Sequence, residues 1–434
     1  MASTSRVLSL YRNAGYLLAP ALGLLLDRRT RRGKEDPARR DERYGIASVQ
    51  RPPGPLVWVH AASVGETNAV IPVIQAIAER GLAILLTTGT VTSAAIARDA
   101  LPAGAIHQYV PFDVEPYVTR FLDHWSPDLA LFAESEIWPL TLAQLGDRSI
   151  PVVILNGRIS ARSAAHWSRS PRFSGEVFGN IDLCLAQSER DATLYAGLGV
   201  VSARAVGNLK FDRDAPPFDA EALAHLKDVL AGRRAWIAAS THQGEEALAL
   251  TAHAALMQSN PDALLILVPR HPQRGPDVAQ LVKIEGLTAA IRSAGDEPSR
   301  NVSVYIADTI GDLGLLYRLS EMAFVGGSFV ERGGQNPVEP AQLNVPILHG
   351  PNVRNFKDIY RDLNEVGGAL RCDDAEVFRD VVLSLWSDVD RRRTIAEQAA
   401  AYVREQRGAL ARTLDALTPF IDPLTERVPA RTHR

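Results

Sequence analysis

The chain has 434 residues, of which 46% are hydrophobic and 22% are charged, and its formal net charge is −3. This composition is typical of a folded globular protein, and it excludes a polycation, so we expect no nucleic-acid partner. The length suits two domains of about 200 residues each. Cys184 and Cys372 are the two cysteines, and neither has a partner at the spacing of a metal site, which indicates a reducing compartment.

Residues 1–34 are predicted to form a membrane-associated segment. Residues 14–26 are apolar and uncharged, although they include Pro20 and Gly23. A basic cluster follows them directly: Arg28, Arg29, Arg31, Arg32 and Lys34. A spanning helix needs about 20 apolar residues. The segment therefore fits a membrane anchor or an interfacial helix, with a helix packed on the protein itself as the alternative. The cations would hold it on the cytoplasmic side, against anionic head groups.

After residue 54, short β-rich apolar runs alternate with helical stretches, which is typical of parallel sheets covered on both faces. The predicted strands are 56–61, 83–88, 129–133, 152–155 and 181–186, then 235–239, 263–268, 302–307, 322–325 and 345–348. A polar, proline-containing linker at 208–217 separates the two sets, and residues 375–417 are helical. The pattern predicts two Rossmann-like α/β domains, 35–211 and 212–434, facing each other across a cleft.

The first predicted strand is followed by Ala-Ser-Val-Gly-Glu at 62–66, which places Glu66 at a strand-to-helix turn. A carboxylate there can accept a proton from a substrate hydroxyl, and an apolar cleft would raise its pKa. The alternative is an acid that only stabilises the start of a helix. Ala61-x-Ser63-x-Gly65 also resembles a nucleophile elbow, but it lacks that motif's first glycine.

Two further candidates follow in the first half. Glu134 and Glu136 leave a strand together, and carboxylates so close need cations or hydroxyls to stabilise them. Lys210 lies in the linker, where it could meet a leaving phosphate or form an ordinary ion pair.

In the second half, polar or glycine-rich loops follow the predicted strands, which favours a nucleotide-binding domain. These loops are 240–246, 269–274, 308–313, 326–329 and 332–340. Ser240 or Thr241 with Glu245 forms a capping pattern, and Arg270 with Arg274 suits a phosphate. Glu339 would stand in the first turn of a helix, where it could bind both hydroxyls of a ribose.

The chain has neither a G-x-G-x-x-G sequence after the first strand nor a Walker lysine pattern, which argues against a nicotinamide or P-loop enzyme. Two D-x-D sequences occur, at 212–214 and 388–390, in the linker and in the terminal helical region. We interpret both as solvated acids, and we predict no catalytic metal and no cofactor.

Eight motifs occur in a characteristic order: HAASVGE at 60–66, ESEIWP at 134–139, NGRISARS at 156–163, GNLKFD at 207–212, STHQGEE at 240–246, PRHP at 269–272, GGS at 326–328 and NPVE at 336–339. From about residue 43 to residue 408 the chain resembles the 3-deoxy-D-manno-octulosonic acid (Kdo) transferases. These are inverting glycosyltransferases of the GT-B fold.

The resemblance implies Glu66 as the general base, with Glu136 and Lys210 stabilising the transition state. Cytidine monophosphate would be bound by Pro269, Arg270, Ile310, Gly311, Asp312, Asn336, Pro337, Val338 and Glu339. The donor would be CMP-Kdo and the acceptor lipid IVA, a lipid A precursor, at the cytoplasmic leaflet of the inner membrane. Domain 35–211 would bind the acceptor and domain 212–434 the donor.

Three residues depart from the family pattern, all in the donor half. Gln335 replaces the usual His, Ile310 the usual Met, and Asp312 the usual Glu. Two other hypotheses remain open at this stage. A GT-B-type nucleotide-sugar epimerase or hydrolase would share the donor domain but need no lipid-facing N-terminus. A non-catalytic, membrane-associated nucleotide binder would need neither Glu66 nor Glu136.

Overall fold

The computed structural model describes residues 6–428, and the chain forms two compact units. The first comprises the residues up to Arg213 and those from Arg407 onward, and the second is Asp214–Gln406. Each unit contains a seven-stranded sheet in which all observed pairings are parallel. The predicted class, two Rossmann-like α/β domains, is confirmed.

The strands of the first sheet are β1 Leu56–Ala61, β2 Ala83–Thr88, β3 Ile106–Tyr109, β4 Leu129–Ala133, β5 Val152–Gly157, β6 Leu183–Ala186 and β7 Ala203–Ala205, in the order β3-β2-β1-β4-β5-β6-β7. Those of the second are β8 Ala235–Thr241, β9 Leu264–Pro269, β10 Ala289–Ile291, β11 Val304–Ile306, β12 Ser320–Val325, β13 Ile347–His349 and β14 Ala369–Arg371, in the order β10-β11-β9-β8-β12-β13-β14. The strand order reverses direction between β1 and β4, and between β8 and β12. In open parallel sheets, ligands bind beyond the carboxyl ends of the strands at such a switch point.

The α-helices are α1 Arg6–Arg31, α2 Val64–Glu79, α3 Val91–Ala100, α4 Glu115–Trp125, α5 Pro139–Asp147, α6 Ala161–Trp167, α7 Pro171–Phe178, α8 Glu189–Leu198, α9 Ala220–Leu230, α10 Glu245–Met257, α11 Gly275–Ile284, α12 Leu313–Tyr317, α13 Val338–Gln342, α14 Lys357–Glu365, α15 Ala375–Ser387, α16 Val389–Glu405 and α17 Ala409–Thr425. They cover both faces of each sheet. Along β1, for example, Val57 and Val59 face one buried cluster, while Leu56 and Trp58 face the other.

Ten strands coincide with the predicted runs, with ends shifted by up to two residues. The other four, β3, β7, β10 and β14, lie at the edges of the two sheets. Each is three or four residues long and only partly buried. An edge strand has one neighbour and needs no continuous apolar run, so it leaves a weak signal in the sequence.

The chain termini depart from the predicted domain limits. Helix α17 was predicted to belong with the second domain, but it packs against α2 in the first unit and buries Leu417 and Ile421 there. Asp212 receives hydrogen bonds from the backbone N–H groups of Gly408 and Leu410, which attaches the start of α17 to the first unit. Residues 1–5 and 429–434 of the predicted terminal segments lie outside the described residues.

Helix α1 packs on α4 and α5 along one side, burying Leu8 and Leu26. Polar contacts also hold it: the Tyr16 hydroxyl donates to Glu115 at 2.9 Å, and Arg12 pairs with the same carboxylate at 3.3 Å. The other side exposes Val7, Leu10, Leu17, Leu18, Leu24 and Leu25. Across residues 6–428, no helix is long and apolar enough to cross a bilayer.

Candidate active site

In the first unit, three carboxylates follow the two strands of the switch point. Glu66 lies just after β1, and Glu134 and Glu136 lie just after β4, which is hydrogen-bonded to β1. The carboxyl ends of parallel strands meet at one edge of a sheet, so the three predicted acids share this edge.

Glu66 belongs to a capping box at the start of α2. Its Oε2 atom accepts hydrogen bonds from the backbone N–H groups of Ala62 at 2.7 Å and Ser63 at 3.3 Å, and the Ser63 hydroxyl oxygen accepts from the Glu66 N–H at 3.3 Å. Glu66 therefore does stabilise the start of α2, as the helix-capping alternative expected. Because one oxygen serves the cap, the carboxylate has a fixed orientation.

Glu136 is held by aromatic side chains. Its Oε2 atom lies 3.3 Å from Nε2 of the fully buried His60 and accepts a hydrogen bond from the Trp138 indole at 3.0 Å. The other ring nitrogen of His60 lies 2.9 Å from the Thr87 hydroxyl. The contacts fix the ring of His60 and, through it, the carboxylate of Glu136.

Glu134 forms an ion pair with Lys210, at 2.6 Å between Oε1 and Nζ. The Lys210 ammonium thus lies at the carboxylate cluster of the first unit. Glu134 and its neighbour Asn156 are both in the left-handed backbone region, with φ of 51° and 53°, and the Asn156 amide reaches Glu134 at 3.5 Å. Non-glycine residues in this conformation cost of order 1–3 kcal/mol and cluster at functional sites.

The environments of the carboxylates move their pKa values in opposite directions. Burial raises the pKa of Glu66, and the negative charges of Glu134 and Glu136 raise it further, against its hydrogen bonds to Ser63 and Ala62. Burial also acts to raise the pKa of Glu136, but the His60 and Trp138 contacts outweigh it and hold that pKa below its ordinary value. One carboxylate suited to accept a proton thus lies beside another that stays ionised, as an acid–base site requires.

In the second unit, the switch-point loops are joined by the buried side chain of Glu245. Its carboxylate accepts hydrogen bonds from four backbone N–H groups: His242 at 2.9 Å, Gly327 at 2.7 Å, Ser328 at 2.9 Å and Phe329 at 2.9 Å. Gly326 makes this approach possible, because a Cβ atom there would lie 2.7 Å from the Ser240 carbonyl oxygen. The expected cap by Ser240 or Thr241 is absent: Gly244 occupies the cap position of α10, so the helix starts without a side-chain cap.

Cationic side chains surround His242 at this edge of the second sheet. Burial lowers the pKa of His242 to about 4, and the charges of Arg332, His271, Arg270 and Arg274 add to the effect. Arg274 is paired with the buried Glu246, whereas Arg270 and Arg332 are exposed. A phosphate would find compensating charge here. The sequence prediction named Arg270 as a nucleotide-binding residue. It placed His242 and Arg332 in the candidate loops 240–246 and 332–340 but did not name them as binding residues; His242 directly follows β8, and Arg332 lies seven residues after β12.

The remaining predicted nucleotide residues lie in loops at the same edge. Pro269 ends β9, and Ile310 is 89% exposed in the loop after β11. Gly311 has φ of 95°. Asp312 pairs with Arg292 at 2.7 Å. Burial acts to raise the pKa of Asp312, but the contacts with Arg292 and the Thr309 hydroxyl outweigh it and hold that pKa below its usual range.

The NPVE motif forms the start of α13. The Asn336 side chain accepts a hydrogen bond from the Val338 N–H at 3.1 Å and donates one to Glu339 at 3.1 Å. Pro337 occupies the cap position, and Val338 is buried in the core. Gln335, which departs from the family pattern, contacts His242 at 3.4 Å. Asn336 therefore fixes the orientation of the Glu339 carboxylate.

Both D-x-D sequences have structural contacts. Asp212 binds the start of α17, and Asp388 accepts a hydrogen bond from the Arg391 N–H at the start of α16. Within residues 6–428, no group of three His, Cys, Asp or Glu side chains could hold a metal ion.

Comparison with known proteins identifies the family. A family model described as 3-deoxy-D-manno-octulosonic-acid transferase (kdotransferase) matches residues 38–213. The 3-deoxy-D-manno-octulosonic acid transferases of Haemophilus influenzae and Bordetella pertussis are each 36% identical, over 88% and 93% of this chain and 91% and 97% of theirs. A glycosyltransferase structure from Rickettsia africae shares the two-domain GT-B fold at 11% identity, with a TM-score of 0.56 over 85% of this chain and 99% of that one. The chain thus belongs to the 3-deoxy-D-manno-octulosonic acid transferase family and is a glycosyltransferase.

Proposed function

We propose that the protein transfers Kdo from CMP-Kdo to lipid IVA in lipopolysaccharide core biosynthesis, with inversion at the anomeric carbon and Glu66 as the general base. The observation that carries the mechanism is the carboxylate of Glu66, oriented by its cap and raised in pKa beside two other acids. Family membership supports the sugar that is transferred.

In this mechanism Glu66 takes the proton of an acceptor hydroxyl as its oxygen attacks the anomeric carbon of Kdo. The bond from that carbon to the phosphate oxygen breaks, and its electron pair leaves with cytidine monophosphate. Attack opposite the leaving group inverts the configuration. Positioning the hydroxyl and stabilising the departing charge supply most of the rate enhancement, and neither requires a metal ion.

Glu136 and Lys210 would act on the charges that develop. A carboxylate that stays ionised, as the lowered pKa of Glu136 indicates, can stabilise positive charge at the anomeric carbon. Lys210 is paired with Glu134 and would supply positive charge to the leaving phosphate or to the Kdo carboxylate.

The second unit would bind the donor. Arg270 and Arg332 supply charge for the phosphate, and Glu339, oriented by Asn336, would bind the ribose hydroxyls. Pro269, Pro337 and Val338 shape the backbone of these loops, and residues 310–312 would lie along the nucleotide.

Helix α1 would hold the enzyme at the cytoplasmic leaflet of the inner membrane. It exposes an apolar row that includes Leu10, Leu17 and Leu24, and the basic cluster follows directly. An amphipathic helix with cations beside its apolar side binds an anionic lipid surface in the interfacial plane. A lipid acceptor would be reached there.

The decisive experiment is Glu66→Gln assayed with CMP-Kdo and lipid IVA. Glutamine keeps an oxygen for the cap but cannot take a proton, so we expect kcat to fall about 100-fold or more while the melting temperature changes little. Glu79→Gln is the matched control, since Glu79 is exposed near the end of the same helix. Wild-type turnover by Glu66→Gln would refute the base assignment. Free Kdo or an altered nucleotide sugar as the only product would favour the hydrolase or epimerase alternative.

A further inference from the structure

The loop and helices that follow β5 are rich in cationic side chains. Residues 157–175 contain four arginines and His166 but no Asp or Glu, in a chain whose net charge is −3. We call Arg162, His166 and Arg169, with Ser160 and Ser163, the α6 patch. These five residues line a surface pocket of about 420 Å³.

The helix geometry brings the charges of the α6 patch together. Arg162 and His166 are four residues apart on α6 and so lie on the same side of that helix. Arg169 lies two residues beyond the end of α6 and lines the same pocket. The opposite side is anchored by Ala164, which is buried in the core. The guanidinium groups of Arg162 and Arg169, which line one pocket, repel each other in the free protein, and a bound anion would relieve that repulsion.

The α6 patch begins close to the carboxylate cluster. Asn156, at the end of β5, contacts Glu134, and the Tyr195 hydroxyl bridges the carbonyl oxygens of Glu134 at 2.8 Å and Arg158 at 3.4 Å. Ser160 is four residues beyond Asn156, so their Cα atoms are at most about 14 Å apart. The α6 patch therefore lies on the same edge of the sheet as Glu66.

We propose that the α6 patch binds a phosphate monoester on the acceptor, at a position other than the hydroxyl that Glu66 activates. This inference rests on the proposed function, because lipid IVA is a disaccharide bisphosphate. Two guanidinium groups and an imidazole can bind the three free oxygens of a phosphate monoester. Binding there would hold the acceptor in register with the base.

The chemistry of the α6 patch favours a discrete phosphate over a membrane surface. Every residue that lines the pocket is polar. In the described part of the chain, no large apolar side chain between residues 157 and 175 is exposed, in contrast to α1. A membrane-binding surface combines cations with exposed apolar groups.

The test is the double variant Arg162→Gln/Arg169→Gln, assayed with lipid IVA and with the same lipid stripped of its phosphates, both in neutral detergent. We expect the KM for lipid IVA to rise about tenfold or more, equivalent to about 1.4 kcal/mol, with kcat and the KM for CMP-Kdo within about twofold of the wild type. With the stripped acceptor, wild type and variant should have the same raised KM. Arg162→Lys/Arg169→Lys should recover part of the affinity.

Arg204→Gln is the matched control, since it removes an exposed arginine from the edge strand β7 of the same unit. An unchanged KM in the double variant, an equal rise with the stripped acceptor, or a rise seen only with vesicles of anionic phospholipid would overturn the phosphate site. The absence of any wild-type transfer to lipid IVA would instead refute the proposed function as well.

Discussion

Replacing Glu245 by glutamine tests whether one buried carboxylate organises the donor loops. Glu245 is 1% exposed, and its two oxygens divide four backbone donors equally. Oε2 accepts from His242 and Gly327, and Oε1 accepts from Ser328 and Phe329. Whichever oxygen becomes an amide nitrogen, two backbone N–H groups, one from a buried and one from a half-buried residue, lose their acceptor and face another donor.

The cost follows from those two donors. A buried donor without an acceptor costs about 1–3 kcal/mol, so the substitution should destabilise the second unit by about 2–6 kcal/mol. For a domain of this size, each kcal/mol lowers the melting temperature by roughly 2–4 °C. We therefore expect the unfolding transition of the second unit to fall by about 4–24 °C. Donor affinity should fall too, because the 326–329 loop is no longer held against 240–244.

Differential scanning calorimetry and titration with cytidine monophosphate measure the two effects. Glu285→Gln is the matched control, since Glu285 is an exposed acid just after α11 in the same unit. It should leave both the transition and the nucleotide affinity unchanged. If Glu245→Gln melts within about 2 °C of the wild type, which is less than the smallest expected shift, and binds the nucleotide equally well, Glu245 does not organise the donor loops.

Three further outcomes are expected. Glu66 acts as a base in its ionised form and its pKa is raised, so activity should be lost as the pH falls through that pKa. Glu134→Gln removes a neighbouring negative charge and should therefore move the acidic limb of the kcat/KM profile to lower pH. An acidic limb that stays in place or moves to higher pH would contradict the assignment of Glu66 as the base. Leu17 and Leu24 are 83% and 73% exposed, and the double variant Leu17→Asp/Leu24→Asp should lower the amount of protein that floats with anionic vesicles by about tenfold or more, at an unchanged melting temperature. The control Val201→Asp, at another exposed position, should float like the wild type. A chelator should leave transfer intact, and complete loss restored by a divalent cation would show that a metal takes part.

The sequence predicted the central strands, because buried parallel strands are continuous apolar runs. All six residues of β1 are buried, and its limits are those predicted. The same local signals located Glu66 and Glu136 at strand exits. Edge strands such as β7 and β14 were missed because their half-exposed residues carry no such run.

The ion pair of Glu134 with Lys210 joins residues 76 positions apart, and its partners could not be chosen from spacing alone. Glu245 looked like part of a local capping pattern, yet three of its four donors come from a loop more than 80 residues away. The position of helix α17 could not be predicted either, since an amphipathic pattern does not specify which of the two units the helix packs against.

By itself, the sequence determined the two α/β units, the family and the acids at the switch point of the first sheet, because local periodicity and short motifs encode them. Tertiary structure decided which side chains meet: Lys210 with Glu134, His60 with Glu136, and Arg162 with Arg169 around one pocket. The pKa values of Glu66 and Glu136 depend on those meetings. Burial and neighbouring charge set a pKa, and both arise only when distant parts of the chain pack together.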